Sequence, residues 1–355
     1  MRAIFILVPS LHPAGPIKGA VALANAIAGQ RTVTLVALKN GPGADAYLND
    51  RVRVVSLAGV GNGVQRVAAY RRMLIDAGGR NMVASISLGF SADMVNLCCR
   101  GQAVTCSSVR GNLPRNYQLD YGPAGVPLAL GHLAALRGLD HVVAMTASMA
   151  RQVGRYAGRL PSVIGNFVDE AVLESYRNDD TRTGALRFVF LASLSPRKRP
   201  DVLIDALARI RGAGVDAHLD LIGDGPMKSR IIEQVDCLGL TSVVNLHGHL
   251  RDPYPLLAHA DALVLPSLSE GLSRAGLEAM HLGVPCVLRD VDGNAELVQN
   301  GINGALFRQD GDLAEAMLAV ADFSRRTLRR KSLLPPGYRQ HVAAHWYLEL
   351  VEAVT

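Results

Sequence analysis

The chain has 355 residues, 49% of them hydrophobic and 19% charged, enough for two domains with ordinary cores. No stretch reaches the roughly 18 uninterrupted apolar residues of a spanning helix. The five cysteines (98, 99, 106, 237 and 286) have no Cys-x-x-Cys spacing, a poor disulfide framework that reads as reduced thiols of a cytoplasmic protein.

Strands are predicted at 3–8, 33–37, 52–57, 82–87, 104–107, 141–145 and 163–164, with helices between them, for example at 19–28 and 65–77. The first apolar run is short and no cleavage site follows it, so it reads as a buried strand and not as a signal peptide. Alternation of this kind predicts a doubly wound parallel sheet. The polar run 178–184 reads as a linker, after which the alternation resumes from 188 to about 333. Pro335, Pro336 and Gly337 break it, and 338–354 reads as a final helix.

Charge divides the chain in the same way. Residues 1–168 hold 17 Lys and Arg against 6 Asp and no Glu, while residues 169–355 hold 20 basic and 25 acidic residues. Such asymmetry points to two units with different partners, the basic one drawn to an anionic surface. Interleaved aromatics of a nucleic-acid module are missing, so an anionic membrane is the expected partner, against the alternative of a solvated surface that happens to be basic. Arg66, Arg71 and Arg72, with Val64, Val67 and Met73 alongside, are the candidate contacts.

The most informative stretch runs from Glu270 through Gly271, Leu272 and Ser273 to Glu278. It places two carboxylates eight positions apart, the first following a strand (262–266) and the second inside a helical run (275–282). Gly271 permits a tight turn, and Ser273 is a candidate N-cap whose neighbouring amides would face an anion. A nucleotide-sugar suits this layout: an inner carboxylate for ribose hydroxyls, amides for the diphosphate, an outer carboxylate at the mouth for the sugar. Alone, the pair would equally suit a surface helix. The flanking segments are Phe188 to Ser193, Leu194-Ser195-Pro196-Arg197-Lys198-Arg199, Gly223-Asp224-Gly225-Pro226, His247-Gly248-His249, Gly283-Val284-Pro285, Gly293-Asn294-Ala295-Glu296 and Asn300-Gly301-Ile302-Asn303-Gly304.

This ordered set, covering most of 186–308, resembles the C-terminal half of glycosyltransferase family 4, the retaining GT-B enzymes, most of all its bacterial polysaccharide and glycan-assembly members. The resemblance implies two Rossmann-like domains facing a central cleft. An acceptor-side domain would span 1–168 and a donor-binding domain 185–334, with the last helix (338–355) crossing back. It implies hexose transfer from a UDP- or GDP-sugar to a lipid-linked glycan in cell-surface polysaccharide or glycoconjugate assembly, without a metal or other cofactor. Together with the basic first half of the chain, such an acceptor would place the protein at the inner face of the cell membrane.

By the same resemblance Glu270 approaches the sugar, Lys198 meets the diphosphate, and Glu278 binds ribose. Gly271, Leu272 and Ser273 would offer amides, His249 would lie by the nucleobase, and Gly15 and Lys18 would occupy the first loop. Ser193 stands where the family carries a diphosphate arginine, so Arg197 or Arg199 would have to substitute. Ser108 stands near the family's first-domain histidine, with Arg110 and Arg115 as acceptor-side candidates. A catalytically silent nucleotide-sugar-binding subunit and a nucleotide-sugar epimerase are the competing readings. Asp290/Asp292 and Asp310/Asp312 match a metal-binding Asp-x-Asp in letters but read as turns beside glycines. The glycine run 41–46 is a poor dinucleotide fingerprint, since Pro42 interrupts it.

Overall fold

A computed structural model of the chain describes residues 1–12, 15–41, 48–177, 183–326 and 331–353. Most of the expected linker (178–182) and of the glycine run (42–46) lies outside the described residues. Two compact units form: Met1–Val168 with Gly337–Thr355, and Asp169–Pro336.

The first unit is built on seven strands: β1 (Ala3–Ser10), β2 (Val33–Lys39), β3 (Val52–Ser56), β4 (Val83–Ser87), β5 (Val104–Val109), β6 (His141–Ala144) and β7 (Ser162–Val163). Their order is β3-β2-β1-β4-β5-β6-β7 and every pair is parallel. Each predicted strand forms, with ends displaced by one or two residues. Ile4 to Val8 are buried on both faces, as a parallel sheet covered by helices requires. One face packs on the helix Gly15–Ala28 through Ala20, Leu23 and Ile27, and on the final helix Gln340–Glu352 through Ala344, Tyr347 and Val351. The other meets the helix Gly63–Asp76 through Tyr70 and Leu74. The first helix begins four residues before the predicted Gly19. Pro16 fits its first turn, where no backbone N–H is needed.

The second unit holds β8 (Leu186–Leu191), β9 (Ala217–Ile222), β10 (Val244–Gly248), β11 (Ala262–Leu265), β12 (Cys286–Arg289) and β13 (Gly304–Phe307). The order is β10-β9-β8-β11-β12-β13, again all parallel. Chain order reverses between β8 and β11, so the loops leaving their carboxyl ends diverge. That crevice is where doubly wound sheets bind ligands. The two loops are 192–199 and 266–273, which carry Lys198 and Glu270.

One glycine fixes how the first of these loops is backed. Gly223 has φ +142°, and a Cβ there would stand 1.9 Å from the Ala192 carbonyl oxygen, so only hydrogen allows the approach. Gly223→Ala should therefore destabilise the second unit by roughly 1–3 kcal/mol. A lowered urea midpoint checks this, and an unchanged midpoint refutes the steric account.

Candidate active site

The helix after β11 is Arg274–His281, and Ser273 caps it as expected, its Oγ accepting from the Gly276 amide at 3.1 Å. Glu278 is 5% exposed. Its Oε1 accepts from Arg274 Nε at 3.0 Å and from Tyr254 Oη at 3.4 Å. Arg274 stands one helical turn before Glu278, the spacing at which side chains share a face. Neither Arg274 nor Tyr254 was singled out in the sequence. The i,i+4 spacing was legible for the first, whereas Tyr254 arrives from a distant helix, Tyr254–His259.

Glu270 lies in the loop after β11. It is 7% exposed, and its carboxylate receives Lys198 Nζ from the loop after β8. Burial alone would push the Glu270 carboxyl up, but the Lys198 ammonium, with Arg197 behind it, holds it below the usual carboxylate value. For Lys198 burial is the stronger influence, and its pKa falls despite the attraction of Glu270. The backbone joins the loops as well: Leu268 N–H donates to the Arg197 carbonyl at 2.8 Å, and Arg197 Nη1 donates to the Ser269 carbonyl at 2.9 Å. On the other flank, Asp292 accepts from Ser269 Oγ at 2.6 Å and from the Glu270 amide at 3.0 Å.

Arg199, one of the two candidates for the missing diphosphate arginine, is engaged elsewhere in this structure. It caps the helix Pro200–Gly212 with φ +51°, and its guanidinium binds Asp201 and Asp310. Arg197, by contrast, bonds to the Ser269 carbonyl beside Lys198 and Glu270. Ser193 is exposed, its Oγ 3.3 Å from that of Ser195. Gly271 and Leu272 are buried in the turn, and His249 is exposed after Gly248, whose φ is +64°. Of the Asp-x-Asp pairs, Asp290 binds Arg308, Asp310 binds Arg289 and Arg199, and Asp312 accepts from the Gln309 amide. Among the described residues no three His, Cys, Asp or Glu side chains gather as a metal group.

In the first unit Arg110 lies over Gly19, where an added Cβ would come within 3.3 Å of its Nη1, and donates to Asn166 Oδ1 at 2.9 Å. Lys18 is half-buried and Gly15 exposed in the opening turns of the same helix. Ser108 is not presented to solvent: its Oγ is 2.6 Å from Tyr347 Oη of the final helix, a buried tie within the core. Arg115 is exposed on the helix Leu113–Tyr121. On the helix Gly63–Asp76, Arg71 and Arg72 are exposed, and Arg66 Nε donates to the Val60 carbonyl. Val67 and Met73 turn inward onto the core, so the apolar side chains it exposes are Val64 (78%) and Ile75 (54%).

Residues 185–322 match the family model of the glycosyl transferases group 1. A D-inositol 3-phosphate glycosyltransferase of Geodermatophilus obscurus is 30% identical over 271 residues, covering 68% of this chain and 57% of the relative. An N-acetyl-alpha-D-glucosaminyl L-malate synthase of Bacillus anthracis is 32% identical over 149 residues, covering 40% and 38%. The chain spans about half the length of the curated relatives it matches. Anabaena HepE, solved with UDP and glucose, shares the fold with a TM-score of 0.79 at 19% identity over 100% of both chains. The chain carries a group 1 glycosyltransferase domain in its second unit. Its two Rossmann-like parallel sheets are those of the GT-B fold.

The ion pair makes a stability prediction. Lys198→Met strands the Glu270 carboxylate in a buried position, which should cost about 3–5 kcal/mol at neutral pH. In the parent, the lowered Glu270 pKa contributes stability that is present above the ordinary value of 4.5 and lost as pH falls through the folded value. In the variant, burial without the cation raises that pKa, so the deficit should shrink on acidification as Glu270 protonates. Chemical denaturation at several pH values measures both. Adding Glu270→Gln should recover part of the loss, and no recovery would refute the pairing account.

Proposed function

We propose that this chain is a metal-independent, retaining hexosyltransferase that takes its sugar from a uridine or guanosine diphosphate sugar. The observation that carries the reading is the Lys198–Glu270 pair at the switch point of a group 1 glycosyltransferase domain, with Glu278 eight residues further on. In the proposed reaction the bond from the sugar's anomeric carbon to the diphosphate breaks and one to an acceptor oxygen forms. The acceptor hydroxyl gives up its proton, and the nucleoside diphosphate leaves with an added negative charge. Lys198, backed by Arg197, supplies positive charge on the loop that would meet that diphosphate, and amides of Gly271, Leu272 and Ser273 add donors. Glu270, carried by the same turn, faces the sugar, while Glu278 accepts from the ribose hydroxyls. That Anabaena HepE was solved with UDP and with UDP-glucose supports uridine as the first base to test.

Glu278→Ala should weaken binding of the bare nucleoside diphosphate by about 1.5–3 kcal/mol, the worth of hydrogen bonds to a charged acceptor. Glu270→Gln should leave that affinity in place and lower turnover. Isothermal titration with UDP and GDP in the presence of EDTA, together with release of UDP from UDP-glucose, separates the two roles. Equal loss of affinity in both variants would refute the assignment. Binding abolished by EDTA and restored by manganese would refute metal independence.

The acceptor in this reading is a lipid-linked glycan of cell-surface polysaccharide assembly, reached at the inner face of the membrane. No helix of the described residues is long and apolar enough to cross a bilayer, so the proposed association is peripheral. Its support is the excess of basic over acidic residues in 1–168, together with exposed Arg71, Arg72, Val64 and Ile75 on one helix. Basic side chains near anionic lipid contribute about 1 kcal/mol each. Co-sedimentation should show binding to anionic vesicles at low salt, release at high salt, and weakening in an Arg66/Arg71/Arg72→Glu variant. Indifference to lipid charge would point to a soluble acceptor.

A further inference from the structure

Asp292 is one of two non-glycine residues with positive φ among those described, at +46°, in the loop that follows β12. Most L-residues avoid this region and Asp enters it more readily than most, helped by local hydrogen bonds of its side chain. Here the contacts are specific. One carboxylate oxygen of Asp292 accepts both the Ser269 hydroxyl, at 2.6 Å, and the Glu270 amide, at 3.0 Å. Ser269 is consequently held from both sides, since its carbonyl accepts from Arg197 at 2.9 Å. The next residue is Glu270, whose side chain meets Lys198. Asp292 is itself fixed by its loop: Asn294 Nδ2 donates to the Arg289 carbonyl at 3.0 Å, and the Asn294 amide donates to the Val291 carbonyl at 3.0 Å.

We infer that Asp292 is a positioning residue that sets the turn carrying Glu270, so that the carboxylate is aimed before any ligand arrives. The inference rests on the proposed transferase reading for its effect on turnover, and on geometry alone for its effect on the turn. A carboxylate suits the position because both donors converge on one oxygen, and a charged acceptor makes the stronger hydrogen bonds. Misplacing a reacting group by about 1 Å can slow a reaction about a hundredfold.

Asp292→Gly separates positioning from stability, because it removes the acceptor and at the same time eases a left-handed backbone. We expect a Tm lowered by no more than about 4 °C, because the relaxed backbone offsets part of the lost hydrogen bonding, UDP affinity within about twofold of the parent, and release of UDP from UDP-glucose slowed by about tenfold or more. Asp292→Asn, which keeps an oxygen acceptor, should restore most of the turnover. Hydrogen exchange at the amides of 269–271 should be faster in Asp292→Gly than in the parent and intermediate in Asp292→Asn. Turnover in Asp292→Gly equal to the parent's would overturn the inference, as would a Tm loss large enough to account for the slowing. A parent that neither binds UDP nor turns over UDP-glucose would tell against the uridine-sugar reading. The exchange comparison would still decide on Asp292, because equal exchange at 269–271 in parent and glycine variant overturns its role.

Discussion

A partly buried lysine and a buried glutamate, paired on two loops that leave a reversing sheet, constrain most of the second unit's crevice. Neither charge would be stable there alone, because removing a carboxylate or an ammonium from water costs several kcal/mol even after relaxation. Paired, they fix the distance between the turn after β8 and the turn after β11. The surrounding contacts serve that distance: Arg197 binds the Glu270 turn from one flank through backbone and side chain, and Asp292 holds it from the other. Arg199 is engaged by Asp201 and Asp310, and Arg197 is a second cation beside Lys198.

The next constraint is close backbone approach. Gly223 and Gly225 let the turn after β9 lie directly on the chain at Ala192 and Leu194, where any Cβ would collide with a carbonyl. Gly304 makes a comparable approach to the Cys286 carbonyl between β12 and β13. At the end of β12, Arg289 is buried, donates to the Pro266 carbonyl and lies over the Phe307 ring, so the end of β11 is tied to its neighbours. Rigid strand ends of this kind let short loops hold functional side chains in place.

The first unit organises its polar groups differently. A buried chain runs from Ser87 through Asp93 and His132 to Tyr117, joining the sheet to the helices Leu113–Tyr121 and Gly125–Ala135. Each buried group on it has a hydrogen-bonding neighbour, which is what low-dielectric surroundings demand. The same demand explains Ser108, whose hydroxyl is satisfied by Tyr347 from a helix 239 positions away. Among the basic side chains of this unit, Lys18 is half-buried at the first helix, Arg110 is tied to Asn166, and Arg71, Arg72 and Arg115 are among those exposed.

Local rules were enough to determine the strands, the alternation, the helix cap at Ser273 and the glycine-dependent turns. Each depends on residues a few positions apart, where periodicity, capping and steric allowance act. The eight-residue spacing of Glu270 and Glu278, and the Arg274 that pairs with the second, were also legible for that reason. Only the folded chain could decide which charges meet. Glu270 is buried against Lys198, 72 positions away, which arrives from the loop after the neighbouring strand. Arg199 pairs with Asp310, 111 positions on, as well as with Asp201 beside it. Asp292 entered it because the loop after β12 curls against the loop after β11, and Ser108 became core because the last helix packs there. Long-range pairs of this kind are set by sheet order, and sheet order carries no local signature in the sequence.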